Sequence, residues 1–323
     1  MGCPSGNGDQ DPGGSVNAMN PLPYRDFNTY LREVFGERVQ KITVDAGLSC
    51  PNRDGTAGWG GCIYCNARGS GTGGHARGLS IARQIQEGRK AVARRYKARK
   101  FMIYFQSFSN TYAPPVRLRE LYDEALGAID GIVGLSVGTR PDCVDEPVLE
   151  LLQEYASRTL VWVEYGLQSA HDDTLRRIHR GHDLACFRRA VAATRGRRIR
   201  ICVHVILGLP GETRGQMMET ARTVAEMGLD GIKIHLLYVV KGTPLERLYR
   251  ERAFRCLSQS EYVERVCEFL EFLPREMVIQ RLTGDPHPEE LVAPFWALDR
   301  TTLIRIRQVL AETGRFQGRR FRS

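Results

Sequence analysis

The sequence predicts an α/β protein built from repeated βα units, and three observations carry that reading. Six short, apolar, β-branched runs recur along the chain. Between them lie stretches with helical periodicity, at a spacing of about 30 residues. Each strand run is nearly continuously apolar, as expected of a parallel sheet covered on both faces. Such units either open into a doubly wound sheet or curl into a full or partial barrel, and periodicity does not choose between them.

In chain order, residues 1–20 (MGCPSGNGDQDPGGSVNAMN) read as a disordered leader, with Met19 a second candidate start beside Met1. Tyr24–Phe35 is a short amphipathic segment. The strand runs are Val39–Val44, Phe101–Gln106, Ile132–Val137, Leu160–Tyr165, Ile199–Leu207 and Gly231–Leu236. The helical stretches are Ser80–Ala98, Arg117–Ile129, Glu146–Tyr155, Asp172–Ile178 with Leu184–Thr194, and Thr213–Met227. Ser80 is a good N-cap for the first of these, because its hydroxyl can accept from a free N–H of the opening turn. Beyond Thr243 the strand signal fades, and Pro244–Ala253, Ser258–Phe272 and Thr301–Thr313 suggest a mostly helical extension ending in the basic run GRFQGRRFRS. The expected organisation is a leader (1–20), a βα core (21–243) and a helical extension with a basic tail (244–323).

Composition excludes several classes. The chain has 323 residues, 42% hydrophobic and 26% charged, which suits a soluble globular protein with a sizeable core. No apolar run approaches the roughly 18–20 residues of a membrane span, so no membrane association is expected. The N-terminal stretch lacks the apolar segment of a secretory signal, which points to the cytoplasm. Nine cysteines in a reducing compartment more often bind metal, react or pack than form disulfides.

The cysteines are unevenly placed. Cys50, Cys62 and Cys65 crowd one glycine-rich loop after the first strand, whereas Cys143, Cys186, Cys202, Cys256 and Cys267 are scattered and read as small buried hydrophobes. Three thiolates on such a loop can converge on a metal, and the glycines let the backbone curl around a bulky inorganic centre. Structural zinc wants a closed set of four, and the closest histidine, His75, lies outside the loop. A [4Fe–4S] cube held by three Cys keeps one iron open. A zinc loop completed by a distant residue, or three free thiols, remains the alternative on spacing alone. Gly69, Gly71 and Gly74 satisfy G-x-G-x-x-G, but they follow the cysteine loop rather than a strand, so the dinucleotide-binding reading fails its context.

The loop Cys50–Cys65, with eleven residues between its first two cysteines, resembles that of radical S-adenosylmethionine (SAM) enzymes of the YhcC/YtqA-like group, related to the catalytic subunit of elongator. The resemblance runs from about Tyr24 to Pro294. It includes Leu79–Ile81, the run Tyr104–Tyr112 (YFQSFSNTY), Gly138–Asp142 (GTRPD), Glu164–Ser169 (EYGLQS), Arg177–His182 (RIHRGH), Leu207–Glu212 (LGLPGE) and Val240–Leu245 (VKGTPL). It implies a partial (β/α)6 barrel with its active site at the C-terminal ends of the strands. It also implies a [4Fe–4S] cluster on Cys50, Cys62 and Cys65 whose open iron chelates the amino and carboxylate groups of SAM. One electron then breaks the S–C5′ bond, and the 5′-deoxyadenosyl radical abstracts hydrogen from substrate. An electron donor such as flavodoxin or ferredoxin is implied as well.

The remaining motifs fall at or just beyond strand ends. Gln106 and Ser107 stand where related enzymes carry a Gly-Gly motif for the ammonium of SAM. Thr139 and Arg140 follow the third strand, and Gln168 and Ser169 the fourth. Similarity to coproporphyrinogen-oxidase relatives implies that Gln168 reaches the ribose hydroxyls and that Arg180 forms a charged fork on the SAM carboxylate. It places His204 where those relatives have a ribose-contacting Asp. Tyr64 would offer backbone groups to the adenine.

The net charge of +9 points toward an anionic partner, with nucleic acid first. However, 40 of the 46 basic residues are Arg, a skew that coding composition alone can produce. Arg89–Lys100 carries seven positive charges and no acid, and Arg176–Arg200 carries nine Arg and one acid. With the C-terminal arginines they suggest a surface that tracks an RNA backbone, with Arg94, Arg95, Arg188 and Arg189 as phosphate contacts. Solvated helix faces are the bland reading. The resemblance favours tRNA as partner, through relatives linked to trimming a carboxymethylaminomethyl group on the wobble uridine to aminomethyl. A small-molecule or peptide substrate, and a non-catalytic zinc-binding RNA protein, are the competing readings.

Overall fold

The computed structural model describes residues 22–69 and 72–322, so the leader expected at 1–20 lies outside the described residues. Seven strands form one parallel sheet in sequential order: β1 (Val39–Val44), β2 (Lys100–Phe105), β3 (Ile132–Thr139), β4 (Leu160–Gln168), β5 (Arg200–Leu207), β6 (Gly231–Leu236) and β8 (Val278–Arg281). A short antiparallel pair, β7 (Val239–Val240) with β9 (Leu291–Ala293), stands beside it. Ten α-helices are described: α1 (Phe27–Phe35), α2 (Ile81–Tyr96), α3 (Pro115–Gly127), α4 (Glu146–Ala156), α5 (Asp172–Arg177), α6 (Leu184–Thr194), α7 (Arg214–Ala225), α8 (Pro244–Arg250), α9 (Gln259–Phe272) and α10 (Thr302–Glu312). The sheet is a half-barrel of the kind expected, with one strand more. Residues 278–281 lie in the stretch read as helical, yet they pair in parallel with β6, and α9 makes the crossover between them. A four-residue strand is too short to show a period of its own. Among the described residues no helix is long and apolar enough to cross a membrane.

Local chemistry sets the helix starts where the strands end. Ser80 accepts from the Arg83 N–H at 3.2 Å, as its N-cap role requires. Asp145 and Asp183 cap α4 and α6 in the same way, and Thr213 with Gln216 forms a capping box on α7. The chain therefore turns sharply at each strand's C-terminal end and exposes loop residues there.

The two faces of each strand differ. Leu135, Val137, Val161, Val163, Ile201, Val203 and Val205 point outward into the fully buried layer under the helices. Their alternate neighbours point into the barrel. At its N-terminal end the barrel is plugged by Met102, Trp162, Cys202 and Val278, with Phe27 and Tyr30 of α1 packed edge-on against Trp162 at ring separations of 5.7 and 5.6 Å. The other end is open. The tail is tied in from both sides: Gln317 accepts from the Arg25 N–H at 2.9 Å and donates to the carbonyl of Met277 at 2.8 Å.

Candidate active site

A cavity of about 640 Å³ opens at the C-terminal ends of the strands, and Cys50, Cys62 and Cys65 all line it. The loop that carries them is fixed by its own backbone and by two neighbours. Gly61 adopts φ +82°, a left-handed geometry that glycine tolerates best, and its N–H reaches the Asn52 carbonyl at 2.8 Å. The Ile63 N–H bonds to the Ile178 carbonyl at 3.1 Å, while its own carbonyl accepts from Leu245 at 2.9 Å. Thus the loop is held by the segment after α5 and by the start of α8, both remote in sequence.

Two of the thiols face guanidinium groups. Arg180 Nη1 lies 3.5 Å from Cys62 Sγ, and Arg53 Nη1 lies 3.5 Å from Cys65 Sγ. Burial alone would raise the Cys62 pKa, but the adjacent Arg180 outweighs it and draws the thiol below its ordinary value. Cys65 is pushed up to about 11, first by burial and then by the charge of Cys62.

The other expected residues divide. Tyr64, Gln106, Ser107, Thr139, Arg140, Gln168, Arg180 and His204 all line the cavity. Ser169 does not. It is fully buried, and its hydroxyl turns away to Glu212 on the far side of the β4 turn. The fork of Arg180 is also already engaged: Nε and Nη2 donate to the Gly166 carbonyl at 3.1 and 2.5 Å. It braces the β4 end against the cysteine loop. A Cβ on Gly166 would lie 2.5 Å from that guanidinium, so only glycine allows the approach. Arg140 is 2% exposed, paired with Asp142 at 2.6 Å and bonded to the Arg180 carbonyl at 2.7 Å. Thr139 shares a 2.6 Å hydrogen bond with Thr111, which caps the Cys143 carbonyl.

Whether the cavity suits a cluster and SAM can be tested on its donors. It combines the three thiols with polar atoms that no group among the described residues satisfies: Ser107 Oγ and Gln168 Oε1 are buried without a hydrogen-bond partner there. Both residues have positive φ, +104° and +80°, a costly backbone geometry typical of ligand clamps. His75 is exposed and outside the cavity lining, so it does not complete a zinc set there. The residues fit the group.

The sequence reading missed the charged belt beneath this rim. Glu164 is fully buried and accepts from Lys41 at 2.9 Å, from Lys233 and Ser136, and bonds His204 Nε2 at 2.8 Å. Burial would raise the Glu164 pKa, but Lys233, Lys41 and His204 together hold it well below the usual carboxylate range. Burial lowers Lys233 to about 7 and His204 to about 4, and it takes His235 well below its ordinary value. Glu164, Cys202 and His204 bring three possible ligand atoms within 4.8 Å of one another, but two lysines already occupy the carboxylate. A signal for this belt existed. Glu164, His204, Lys233 and His235 interrupt apolar strands, and three of the chain's six lysines lie in strands.

Two of the three basic segments are not placed to form one surface around the cavity mouth. Arg94 and Arg95 sit in the last turn of α2, just before β2 begins. A helix after a parallel strand runs back toward that strand's start, so both lie at the end of the barrel away from the cavity mouth. Arg188 and Arg189 are exposed on α6. Arg315, Arg319 and Arg320 fold onto α9 and pair with Glu264, Glu268 and Glu271, so the tail is largely neutralised.

A half-barrel with three thiols at its C-terminal mouth defines the class, and sequence comparison gives the family. Residues 53–224 match the Radical SAM superfamily and residues 229–312 its C-terminal domain; the chain belongs to this superfamily, whose cofactors are a [4Fe–4S] cluster and SAM. It is 42% identical over 310 residues to the uncharacterized protein YtqA of Bacillus subtilis, covering 94% of this chain and 96% of that one. It is 26% identical to the tRNA uridine(34) acetyltransferase of Methanocaldococcus infernus over 47% of this chain and 29% of that protein. The solved structure of the archaeal M. infernus Elp3 superposes with a TM-score of 0.66 at 14% identity, covering 86% of this chain and 64% of that one. The likeness to that structure is one of fold.

Proposed function

We propose that this enzyme modifies tRNA, converting a carboxymethylaminomethyl group on the wobble uridine to aminomethyl. The observation that carries the reading is the size and lining of the cavity: about 640 Å³, walled by thiols on one side and lined on the other by Lys233, His204, His235 and Arg281. A single base splayed from the anticodon loop fits such a depth beside SAM, whereas a base held in a helix does not reach it. The relative named as a tRNA uridine(34) acetyltransferase supports RNA as the substrate class.

When bound, the cofactors supply a 5′-deoxyadenosyl radical that takes a hydrogen atom from the substrate. Cys50, Cys62 and Cys65 would hold the cluster, with Arg53 and Arg180 facing two of the sulfurs. Ser107 and Gln168 offer their unpartnered oxygens to SAM, and Tyr64, Gln106, Thr139 and Arg140 complete its walls. Arg180 acts as a positioning residue through Gly166, and His204 as one through Glu164. Depth within the barrel keeps the reacting carbon from bulk water. Hydrogen is removed from the methylene of the carboxymethyl arm, one further electron would return to the electron carrier, and water would hydrolyse the resulting imine to the aminomethyl group and glyoxylate. A flavodoxin or ferredoxin would deliver the electron.

The test is anaerobic turnover of the reconstituted enzyme with SAM, dithionite and tRNA from cells lacking it. We expect tRNA-dependent 5′-deoxyadenosine and a matching gain of aminomethyluridine in digested tRNA. If deoxyadenosine forms without regard to tRNA, and the wobble-uridine profile of the deletion strain equals that of the parent, the substrate is a small molecule or peptide instead.

A further inference from the structure

The polar belt inside the barrel holds more positive charge than the protein itself neutralises. Lys41, Lys233 and Arg281 face it, and Glu164 is the carboxylate among them. Both oxygens of Glu164 are taken, by Lys41 and Ser136 on one side and by Lys233 and His204 on the other. Arg281 closes β8, directly across from Lys233 in the strand register. The strands are parallel and their register shifts at Lys233, but the charge of Arg281 bears on Lys233, and two cations so placed repel unless something anionic lies between them. Arg281 lines the cavity and makes no hydrogen bond or ion pair among the described residues. His235, two residues beyond Lys233 and on the same face of β6, carries a buried Nε2 with no hydrogen-bond partner among the described residues. The other acids of the cavity wall do not serve: Glu290 is bound by Arg68 and Asn66, and Asp285 is exposed at the rim.

We infer that Arg281, with His235 and Lys233 beside it, forms a subsite for a carboxylate carried by the substrate. A planar guanidinium with free N–H groups matches a carboxylate in two parallel hydrogen bonds, and the low dielectric of the barrel strengthens them. Arg281 is level with Lys233 and His204 in the strand register, so a bound carboxylate sits beside them. Arg281 is therefore the residue that selects the acidic arm over its neutral analogues. This inference rests on the tRNA reading for the identity of the arm, but not for the subsite itself.

The experiment uses the cluster-loaded enzyme with SAM bound. Calorimetry measures binding of the nucleoside 5-carboxymethylaminomethyluridine, of its carboxamide, and of a simple N-alkylglycine. The parent should bind both carboxylates and bind the carboxamide about 10- to 100-fold more weakly, the scale of a charged hydrogen bond. Arg281→Gln should erase that difference, while Arg281→Lys keeps part of it because a point charge replaces the fork. Iron content, the visible cluster spectrum and the denaturation midpoint of both variants should match the parent, showing an intact cluster and fold. Equal preference for the carboxylate in parent and Arg281→Gln would overturn the subsite, even if tRNA is turned over. Arg281-dependent binding of the N-alkylglycine without turnover of any tRNA would leave the subsite standing and overturn the tRNA reading.

Discussion

The two faces of the central sheet are built from alternate residues of the same strands, yet they obey opposite rules. On the outer face Val163, Ile201, Val203 and Val205 pack under helices with no polar atom to satisfy. On the inner face their immediate neighbours Glu164 and His204, with Lys233 of β6, form a hydrogen-bonded charge network over an aromatic plug. Burial of apolar area, worth about 25 cal/mol per Å², drives the outer layer and tolerates any well-filled arrangement. The inner layer gains little net stability from its ion pairs, since desolvation offsets most of their attraction. It is retained for what it presents to the cavity. Stability resides on one side of the sheet and chemistry on the other, one residue apart.

The widest separation between the faces is expected at the rim. Cys62→Ala should abolish SAM cleavage and lower bound iron while leaving the apo-protein's denaturation midpoint within the small range of surface changes, because the thiol belongs to the cavity rather than the core. Full iron content in that variant would remove Cys62 from the ligand set. Next come paired core substitutions. Glu164→Leu strands Lys41 and Lys233 and should cost about 3–5 kcal/mol in urea unfolding of the apo-protein, and adding Lys233→Met should recover part of that loss. Leu135→Ala on the outer face should cost a comparable 2–5 kcal/mol by opening a cavity, but with SAM affinity unchanged. If Leu135→Ala weakened SAM as strongly as a rim substitution does, the division between faces would be wrong. The smallest effect is expected from Arg94→Glu with Arg95→Glu at the closed end of the barrel: tRNA affinity and its salt slope should stay those of the parent. A flattened slope would mean that RNA grips that end after all.

Much of this was legible in the chain. The recurrence of apolar runs and helical stretches is imposed by backbone geometry and local burial, so the first six strands appear close to their expected bounds. The cysteine loop and the motifs after each strand carry their chemistry in the residue types themselves. The turning of Ser169 toward Glu212 was not legible, because the positive φ at Gln168 redirects the chain there. Nor was the engagement of Arg180 with Gly166, which depends on two segments meeting across the barrel.

By itself, then, the sequence determined the βα repeat, the thiol loop and the superfamily, since these rest on near-neighbour pattern and on side-chain chemistry. Only the tertiary structure decided the seventh strand, whose four residues are a strand solely because β6 offers an open edge to pair with. It alone showed that the basic tail is neutralised by α9, and that Glu164, Lys41, Lys233 and Arg281 share one interior. Those groups lie up to 240 residues apart, Lys41 and Arg281 being the extremes. Charge is additive along a chain, but the field a substrate meets depends on which charges the fold brings together and which it leaves unpaired.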